Sequence, residues 1–570
     1  MNPLLSVKNL SIHFKTEGSE TAAVKNSSFT VGPGQLVAIV GESGSGKSIT
    51  ALSILQLLPK QAVVTGEILF GQDEPVDLLK LPGKKITEIR GNQIAMIFQE
   101  PMTSLNPVFT CGYQVMEAIQ LHQQVNKETA RKKTIELFEK VKLPDQANLI
   151  KRYPHELSGG QKQRVMIAMA MSCNPTLLIA DEPTTALDVT VQKTILELIK
   201  LLQLQNNMGV IFITHDLGIV ADIADKILVM YQGEIVEQGI AKDILLTPQH
   251  PYTKALLACR PVGQPKGKRL PVVSDFIKQE VEITEKLTAT EELLTQNTKP
   301  QTKNILLEVK NLHVHFPIKK NIFGRPTQFF KAVDDVSFIV EQGDIVGLVG
   351  ESGCGKTTLG KSILQLIKPT SGKILLDGKD LIQIDPALLR TMRKELQVVF
   401  QDPYGSLNPR ITIGNAILEP LKVHAILSNN KQRKEKVMEL LEKVSLDTDH
   451  FNRYPHQFSG GQRQRICIAR ALVLNPSFLI FDEMVSALDV SVQAQVLNLL
   501  NELKKEFGFT AIFISHDLSV VHYICNRILV MHQGKIVEEG EAGQVYHHPK
   551  NEYTQKLINA IPGKAIFQSS

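Results

Sequence analysis

Five residues, Leu157-Ser158-Gly159-Gly160-Gln161, return 301 positions later as Phe458-Ser459-Gly460-Gly461-Gln462. Two other segments keep that spacing: Ile179-Ala180-Asp181-Glu182 returns as Ile480-Phe481-Asp482-Glu483, and Ile213-Thr214-His215-Asp216 as Ile514-Ser515-His516-Asp517. A constant offset of this size marks one domain duplicated in tandem, because solenoid repeats recur every 20–50 residues or so. The length of 570 residues agrees, since a single core stops growing at roughly 250–300 residues. A fourth pair, Gly41-Glu42-Ser43-Gly44-Ser45-Gly46-Lys47-Ser48 and Gly350-Glu351-Ser352-Gly353-Cys354-Gly355-Lys356-Thr357, is offset by 309 instead. The copies therefore differ in loop length between this segment and the others, where an accessory region can vary.

The fourth pair carries the clearest chemistry. Both members match G-x-x-x-x-G-K-[ST], follow an apolar run (Leu36 to Val40; Ile345 to Val349) and open a helix-period segment (from Ile49; from Thr358). In that strand–loop–helix context the glycines let backbone N–H groups turn around a phosphate, the lysine adds a point charge, and Ser48 or Thr357 offers a Mg²⁺ ligand. The pairs Asp181-Glu182 and Asp482-Glu483 end apolar strands, where adjacent side chains point to opposite sides. This predicts a division of labour, the aspartate on Mg²⁺ and the glutamate against the water that attacks the γ-phosphate. Gln99 and Gln401 end apolar runs and lead into Glu100-Pro101-Met102-Thr103-Ser104-Leu105-Asn106-Pro107 and Asp402-Pro403-Tyr404-Gly405-Ser406-Leu407-Asn408-Pro409. A Mg²⁺ or water contact at a subdomain hinge is expected of both. His215 and His516, again at strand ends, are expected to contact the γ-phosphate. Ser-Gly-Gly-Gln before a helical segment is either an anion seat or a helix cap.

Short apolar runs at Leu177–Ala180 and Val210–Ile213 flank a helix-period segment, Val191 to Leu204, which predicts buried parallel strands in an α/β fold. Residues 4–14 read as an alternating strand followed by a polar loop, Lys15 to Ala22, and Gly91 to Ala170 as a helical subdomain. Ile227–Met230 and Glu234–Val236, split by Gln232-Gly233, read as a closing hairpin. The expected organisation is a first domain over 1–261, a linker and extension over 262–304 with a short helix from Ile277 to Leu294, a second domain over 305–562, and a tail over 563–570.

Composition narrows the class. Hydrophobic residues at 43% and charged residues at 21% are those of an ordinary globular protein. A net charge of +5 is small for this length and does not argue for nucleic acid. The amino terminus does not read as a signal peptide, and nowhere do about 18 apolar residues run together. Six scattered cysteines without C-x-x-C read as free thiols in a reducing compartment.

Together these segments resemble the ATP-binding cassette ATPases over nearly all of both halves, including the D-loops Ala186-Leu187-Asp188 and Ala487-Leu488-Asp489. The resemblance implies two tandem P-loop domains, each with a RecA-like α/β core, an antiparallel β subdomain and a helical subdomain. It also implies head-to-tail pairing around two ATP. Lys47, Ser48, Gln99, Asp181, Glu182 and His215 would work with Ser459, Gly460, Gly461 and Gln462. Conversely, Lys356, Thr357, Gln401, Asp482, Glu483 and His516 would work with Ser158, Gly159, Gly160 and Gln161. By the same resemblance Phe14 and Phe316 are candidates to stack on adenine. A finer resemblance, to fused ATPase subunits of oligopeptide, dipeptide and glutathione (nickel) importers, rests on the two Ser-Leu-Asn-Pro segments, on Arg152-Tyr153-Pro154-His155 and Arg453-Tyr454-Pro455-His456, and on His250-Pro251-Tyr252-Thr253 with its echo Tyr553-Thr554. It implies two membrane permeases, a periplasmic or lipoprotein receptor, and a peripheral place on the cytoplasmic face of the plasma membrane. The chain departs from the family at Met484, where Pro183 stands in the first half, with little effect expected. Only Cys259 lies where some relatives carry an iron–sulfur cluster, so none is expected. The rival readings are a soluble tandem ATPase on ribosomes or nucleic acid, against which the mixed charge of Val262 to Asn304 weighs, and an export motor.

Overall fold

The computed structural model describes residues 2–16, 19–99, 104–185, 187–277, 304–320, 323 and 326–563. Several expectations fall partly outside the described residues: Glu100 to Thr103, Ala186, the 278–303 stretch with most of the expected helix, and 564–570 of the tail.

The first half runs β1 (Leu5–Thr16), β2 (Ser19–Val31), β3 (Leu36–Val40), β4 (Ala62–Phe70), β5 (Val76–Asp77), β6 (Ile94–Ile97), β7 (Leu177–Asp181), β8 (Gly209–Thr214), β9 (Lys226–Tyr231) and β10 (Glu234–Ile240). The second repeats it as β11 (Ile305–Lys320), β12 (Pro326–Glu341), β13 (Ile345–Val349), β14 (Ser371–Leu376), β15 (Lys379–Asp380), β16 (Leu396–Val399), β17 (Phe478–Asp482), β18 (Thr510–Ser515), β19 (Arg527–His532) and β20 (Lys535–Glu541). Each half folds these into an antiparallel sheet of four (β2-β1-β4-β5; β12-β11-β14-β15) and a mixed sheet of six (β10-β9-β3-β8-β7-β6; β20-β19-β13-β18-β17-β16).

The apolar runs become the central strands. All residues of β3, β7 and β8 are buried, as expected of parallel strands covered on both faces. Because β3, β8 and β7 are parallel neighbours, Val40 lies opposite Thr214 and Asp181 opposite Ile213. The phosphate loop, the acid pair and the histidine thus leave the same carboxyl edge of one sheet, where open α/β sheets hold ligands.

The helical subdomain is built from helices Cys111–Gln123, Lys127–Lys140 and Gly159–Ala170, the first two capped by Thr110 and Asn126. Ile119, Phe138 and Val165 close its core. β6, the apolar strand expected before Gln99, pairs with β7 in the six-stranded sheet and so ties the start of the helical subdomain to it.

Two other segments differ from the sequence reading. The described residues of the Lys15 to Ala22 stretch are strand rather than loop: Phe14 pairs with Thr21 and Lys15 with Glu20. Backbone pairing sustains the strands there while the side chains of Lys15, Glu20 and Thr21 face water. The start of the expected linker is docked on the second half. Leu270 is fully buried; its N–H donates to Asn498 Oδ1 (2.8 Å), and Asn498 Nδ2 donates to its carbonyl (2.8 Å). Tyr523 Oη donates to the Lys268 carbonyl (2.6 Å). Burying Leu270 contributes about 1.5–3 kcal/mol, so the apolar Leu270-Pro271-Val272-Val273 joins the core within a polar surround. The other end reciprocates, Gly563 N–H donating to Asp222 Oδ2 (3.2 Å) and Lys193 Nζ to the Asn559 carbonyl (3.3 Å). One apolar cluster consequently runs through both halves, from Tyr252 and Leu256 to Leu518 and Leu557.

Candidate functional site

Glycine is required where the phosphate loops pass other backbone. Gly46 has φ 101°, and a Cβ there would lie 2.6 Å from the Ala23 carbonyl oxygen; at Gly355, with φ 111°, it would lie 2.1 Å from that of Ala332. Both helices that follow, Lys47–Ile54 and Lys356–Ile363, begin without a side-chain cap. The first-turn N–H groups, including those of Ile49 and Thr358, are therefore left to a ligand or water. Lys47 Nζ, nearly buried, donates to the carbonyls of Gly41 and Glu42 (both 2.8 Å), and Lys356 Nζ to those of Gly350 (2.7 Å) and Glu351 (2.9 Å). Each lysine thus ties its own loop closed at the point a phosphate would occupy. Ser45 Oγ is buried without a hydrogen-bond partner among the described residues. Cys354 replaces it in the second loop, its thiol pushed up by burial.

Ser48 Oγ donates to Asp181 Oδ1 (3.0 Å) and Thr357 Oγ1 to Asp482 Oδ1 (3.1 Å), which brings together the hydroxyl and carboxylate expected on Mg²⁺. Burial and the neighbouring Glu182 raise Asp181 to about 6 against the help of Ser48. Glu182 behaves oppositely. Its burial favours the neutral acid, but His215, the Thr185 hydroxyl and Lys47 outweigh that and bring it to about 2. Gln99 Nε2 (3.0 Å) and Thr185 Oγ1 (2.9 Å) donate to Glu182 Oε2, and His215 Nδ1 lies 3.3 Å from Oε1. Burial lowers the His215 pKa, but Glu182, Asp489 and Asp216 more than reverse this. Glu483 is likewise held below its usual range despite burial, by His516 (3.9 Å) and Lys356 (3.8 Å). Gln401 is exposed, and among the described residues it makes no hydrogen bond to Glu483.

Both glutamates sit in the left-handed region, φ 45° at Glu182 and 48° at Glu483. Each is pinned by its N–H donating to the strand-end carbonyl of Ile213 or Ile514 (3.0 Å). Non-glycine backbone of this kind costs on the order of 1–3 kcal/mol and persists where the surroundings over-determine it. Met484, buried in the second half, follows Glu483 in the same turn that Pro183 follows Glu182.

The Ser-Gly-Gly-Gln segments form capping boxes. Ser158 Oγ accepts from Gln161 N–H (3.3 Å) while Gln161 Oε1 accepts from Ser158 N–H (3.1 Å), and Ser459 with Gln462 repeats this (3.4 and 3.1 Å). Gly160 and Gly461 serve close packing: a Cβ would lie 2.6 Å from Val191 Cγ1 or 2.3 Å from Val492 Cγ1. Gly159 and Gly460 are the first residues of these helices. Phe14 packs against the first half's core. Phe316 is exposed and pairs with Phe330, and it is Phe330 that lines the cleft beside Ser352, Gly353 and Cys354.

The halves meet at these loops. Asp489, after the second acid pair, accepts from the N–H (3.1 Å) and hydroxyl (3.0 Å) of Ser43 in the first phosphate loop, and Ser491 Oγ donates to Glu42 Oε1. Reciprocally, Asp188 Oδ2 accepts from Ser352 N–H (3.4 Å), and Thr190 Oγ1 donates to Glu351 Oε1 (2.6 Å). Tyrosine hydroxyls complete the loops: Tyr252 accepts from Glu42 N–H and Tyr553 from Glu351 N–H, both at 3.0 Å. The repeated Tyr-Thr was the sequence signal for these; nothing in the sequence pointed to Thr185.

A model of the ABC transporter family matches residues 24–185 and 333–486, and one of the oligopeptide/dipeptide transporter C-terminal region matches 236–286 and 537–565. The chain is 48% identical over 564 residues to glutathione import ATP-binding protein GsiA of Pectobacterium atrosepticum, covering 98% of this chain and 89% of that protein. It is 48% identical over 570 residues to the protein of that name from Escherichia coli K12, with the same coverage. Among solved structures, dimeric MJ0796, a bacterial ABC transporter cassette, is 27% identical with a TM-score of 0.38, covering 42% of this chain and 99% of that one.

Proposed function

This chain belongs to the ABC transporter family, and from that membership we propose that it is the two-cassette ATPase of an importer for glutathione or a related short peptide. Its partners in this reading are two membrane permeases and a substrate-binding receptor, and its place is the cytoplasmic face of the membrane. The relatives are named as glutathione import ATP-binding proteins, which favours import over export or work on nucleic acid. Among the described residues no helix is long and apolar enough to cross a membrane, so the permeases must supply the path. Val108, 70% exposed, stands with the exposed Phe109 and Tyr113 at the start of the helical subdomain and suits a membrane partner's segment.

The observation that carries the reading is Asp489 bound to Ser43 across the cassette boundary, with Asp188 and Ser352 as its reciprocal. It supports a head-to-tail pair in which each ATP lies between one phosphate loop and the other cassette's Ser-Gly-Gly-Gln. In the first site Lys47 would exchange the carbonyls of Gly41 and Glu42 for phosphate oxygens, and the orphaned Ser45 hydroxyl and uncapped helix N-terminus would add donors. Ser48, Asp181 and Gln99 offer the hard oxygen donors that Mg²⁺ takes, and Mg²⁺ bound there would neutralise phosphate charge. Glu182, kept ionised and aimed by Gln99, Thr185 and His215, would accept the proton of the attacking water. His215 would report the γ-phosphate, since it already bridges Glu182 and Asp489 (4.0 Å). Thr357, Asp482, Gln401, Glu483 and His516 take these parts in the second site. Closure would follow from ligand binding, because ATP finds partners in the joined state that the parted one lacks.

The test is to reconstitute the chain with its membrane partners in vesicles and supply the receptor. Glutathione-loaded receptor should stimulate ATP hydrolysis several-fold. Stimulation by receptor carrying an unrelated solute, with none by glutathione, would refute the substrate assignment.

A further inference from the structure

The described part of the second cassette's hairpin holds a cluster that the ATPase reading does not use. His313 and His315 alternate along β11 onto one face, and Asp334 reaches them from β12. His313 Nδ1 lies 3.3 Å and His315 Nε2 3.6 Å from the same oxygen, Asp334 Oδ1, and one donor atom from each residue falls within 4.8 Å of the others. His315 Nε2 is buried and makes no hydrogen bond among the described residues. We propose that this cluster binds an imidazole-favouring divalent transition metal, with Zn²⁺ as the type case.

Three observations carry the proposal. First, tetrahedral bonds of about 2.0–2.1 Å place donor atoms about 3.3 Å apart, close to the two separations from Asp334 Oδ1, 3.3 and 3.6 Å. Two imidazoles with one carboxylate also make a donor set of the kind that selects Zn²⁺ and its neighbours over Mg²⁺ or Ca²⁺.

Second, the carboxylate is already oriented. Lys331 (3.3 Å) and Lys535 (3.8 Å) lie against Asp334 Oδ2. Lys331 also reaches Oδ1 at 3.4 Å, and the Asp335 N–H donates to His313 Nδ1 (3.3 Å). These two contacts compete with a metal ion and set a limit on its affinity.

Third, the first cassette keeps the scaffold but only one of the ligands: His13 stands in the place of His315, while Ser11, whose Oγ accepts from Asn26 N–H (2.9 Å) as His313 Nδ1 does from Asp335 N–H, stands in that of His313. Lys25 N–H donates to the Gly233 carbonyl (2.7 Å) as Asp334 N–H does to that of Gly534 (2.8 Å). The residue in Asp334's place is thus a lysine, paired with Glu234 at 3.3 Å. Gly534 in turn donates to the Cys354 carbonyl (3.0 Å), so two backbone hydrogen bonds join the cluster to the second phosphate loop. A metal there would mark one of the two nucleotide sites and not the other.

The alternative occupant of this space is a proton, with the imidazoles charged and paired to Asp334. To separate the two, the full chain stripped with EDTA is titrated with Zn²⁺ alone by calorimetry, beside the variants His315→Ala and Asp334→Asn. Wild type should show a site whose affinity falls at least about tenfold in either variant. Co²⁺ in its place should give tetrahedral visible bands that both variants lose. Should H315A fail to fold, D334N, which leaves both rings in place, decides. Isotherms and Co²⁺ spectra that coincide for wild type and D334N would overturn the proposal and leave a simple ion pair.

Discussion

Glu182 and Glu483 occupy the same turn at the same strand end, with the same left-handed backbone, yet their carboxylates are held differently. Glu182 receives hydrogen bonds from Gln99 and Thr185 and lies 3.3 Å from His215. Among the described residues Glu483 has only looser ion pairs, 3.8 Å to Lys356 and 3.9 Å to His516. The hydroxyl of Ser486, in Thr185's place, turns back to the Glu483 carbonyl instead (2.8 Å). The D-loops differ in step. Asp489 gives its carboxylate to Ser43, whereas Asp188 also caps its own helix through Val191 N–H (2.9 Å). Duplication has preserved the backbone that presents each acid, while the side chains around it have diverged. The first site is consequently the better organised before ATP arrives.

The largest expected effect tests what the sites share. Replacing both Glu182 and Glu483 by Gln should leave ATP binding intact and cut steady-state hydrolysis by about 10²–10⁴, the range of a positioned general base. Retained hydrolysis would remove both acids from the mechanism.

Next comes an effect on stability. Asp181 titrates at about 6 in the folded chain against an ordinary 3.8. Between those values the folded state keeps a proton that the unfolded chain has lost. Stability therefore falls as pH rises through this window, and the deficit is complete above pH 6. Removing that charge with D181N should raise stability at pH 8 by on the order of 3 kcal/mol and change it little near pH 4, as read by thermal unfolding without Mg²⁺. D482N should show the same sign, because burial and the neighbouring Glu483 raise Asp482 as well.

The contrast itself is sharpest at the glutamines. A hydrogen bond to a charged group contributes about 1.5–3 kcal/mol. With the other site silenced by its Glu→Gln change, Q99A should slow turnover about tenfold or more, and Q401A much less. The smallest effect belongs to Met484→Pro. Its turn already matches that of Pro183, so second-site turnover should change less than about twofold.

Much of this was legible in the chain. Apolar runs became the central strands, and the repeated Gly-Lys, Asp-Glu and His segments converged at one sheet edge, because buried parallel strands leave little choice of order. What escaped was set by tertiary contact. Leu270 reads as linker because the polar run Gly263 to Arg269 leads into it, and contacts with Asn498 and Tyr523, over 200 positions away, make it core. The positive φ of Glu182 carries no composition signal, since glutamate is not a turn residue. Thr185 and Ser486 differ by one methyl group, yet their hydroxyls point to different acceptors. The sequence leaves Gly160 and Gly461 in an anion seat or a helix cap, while their packing against Val191 and Val492 needs the fold to be seen.

In the proposed pairing each active site borrows from the other cassette. Silencing the second site by Glu483→Gln leaves all turnover to the first. Arginine is then placed at either Ser-Gly-Gly-Gln serine and hydrolysis is measured. Ser459→Arg, in the other cassette, should abolish the remaining activity, while Ser158→Arg, in the same cassette as the working loop, should spare it. Loss with S158R and survival with S459R would contradict the account.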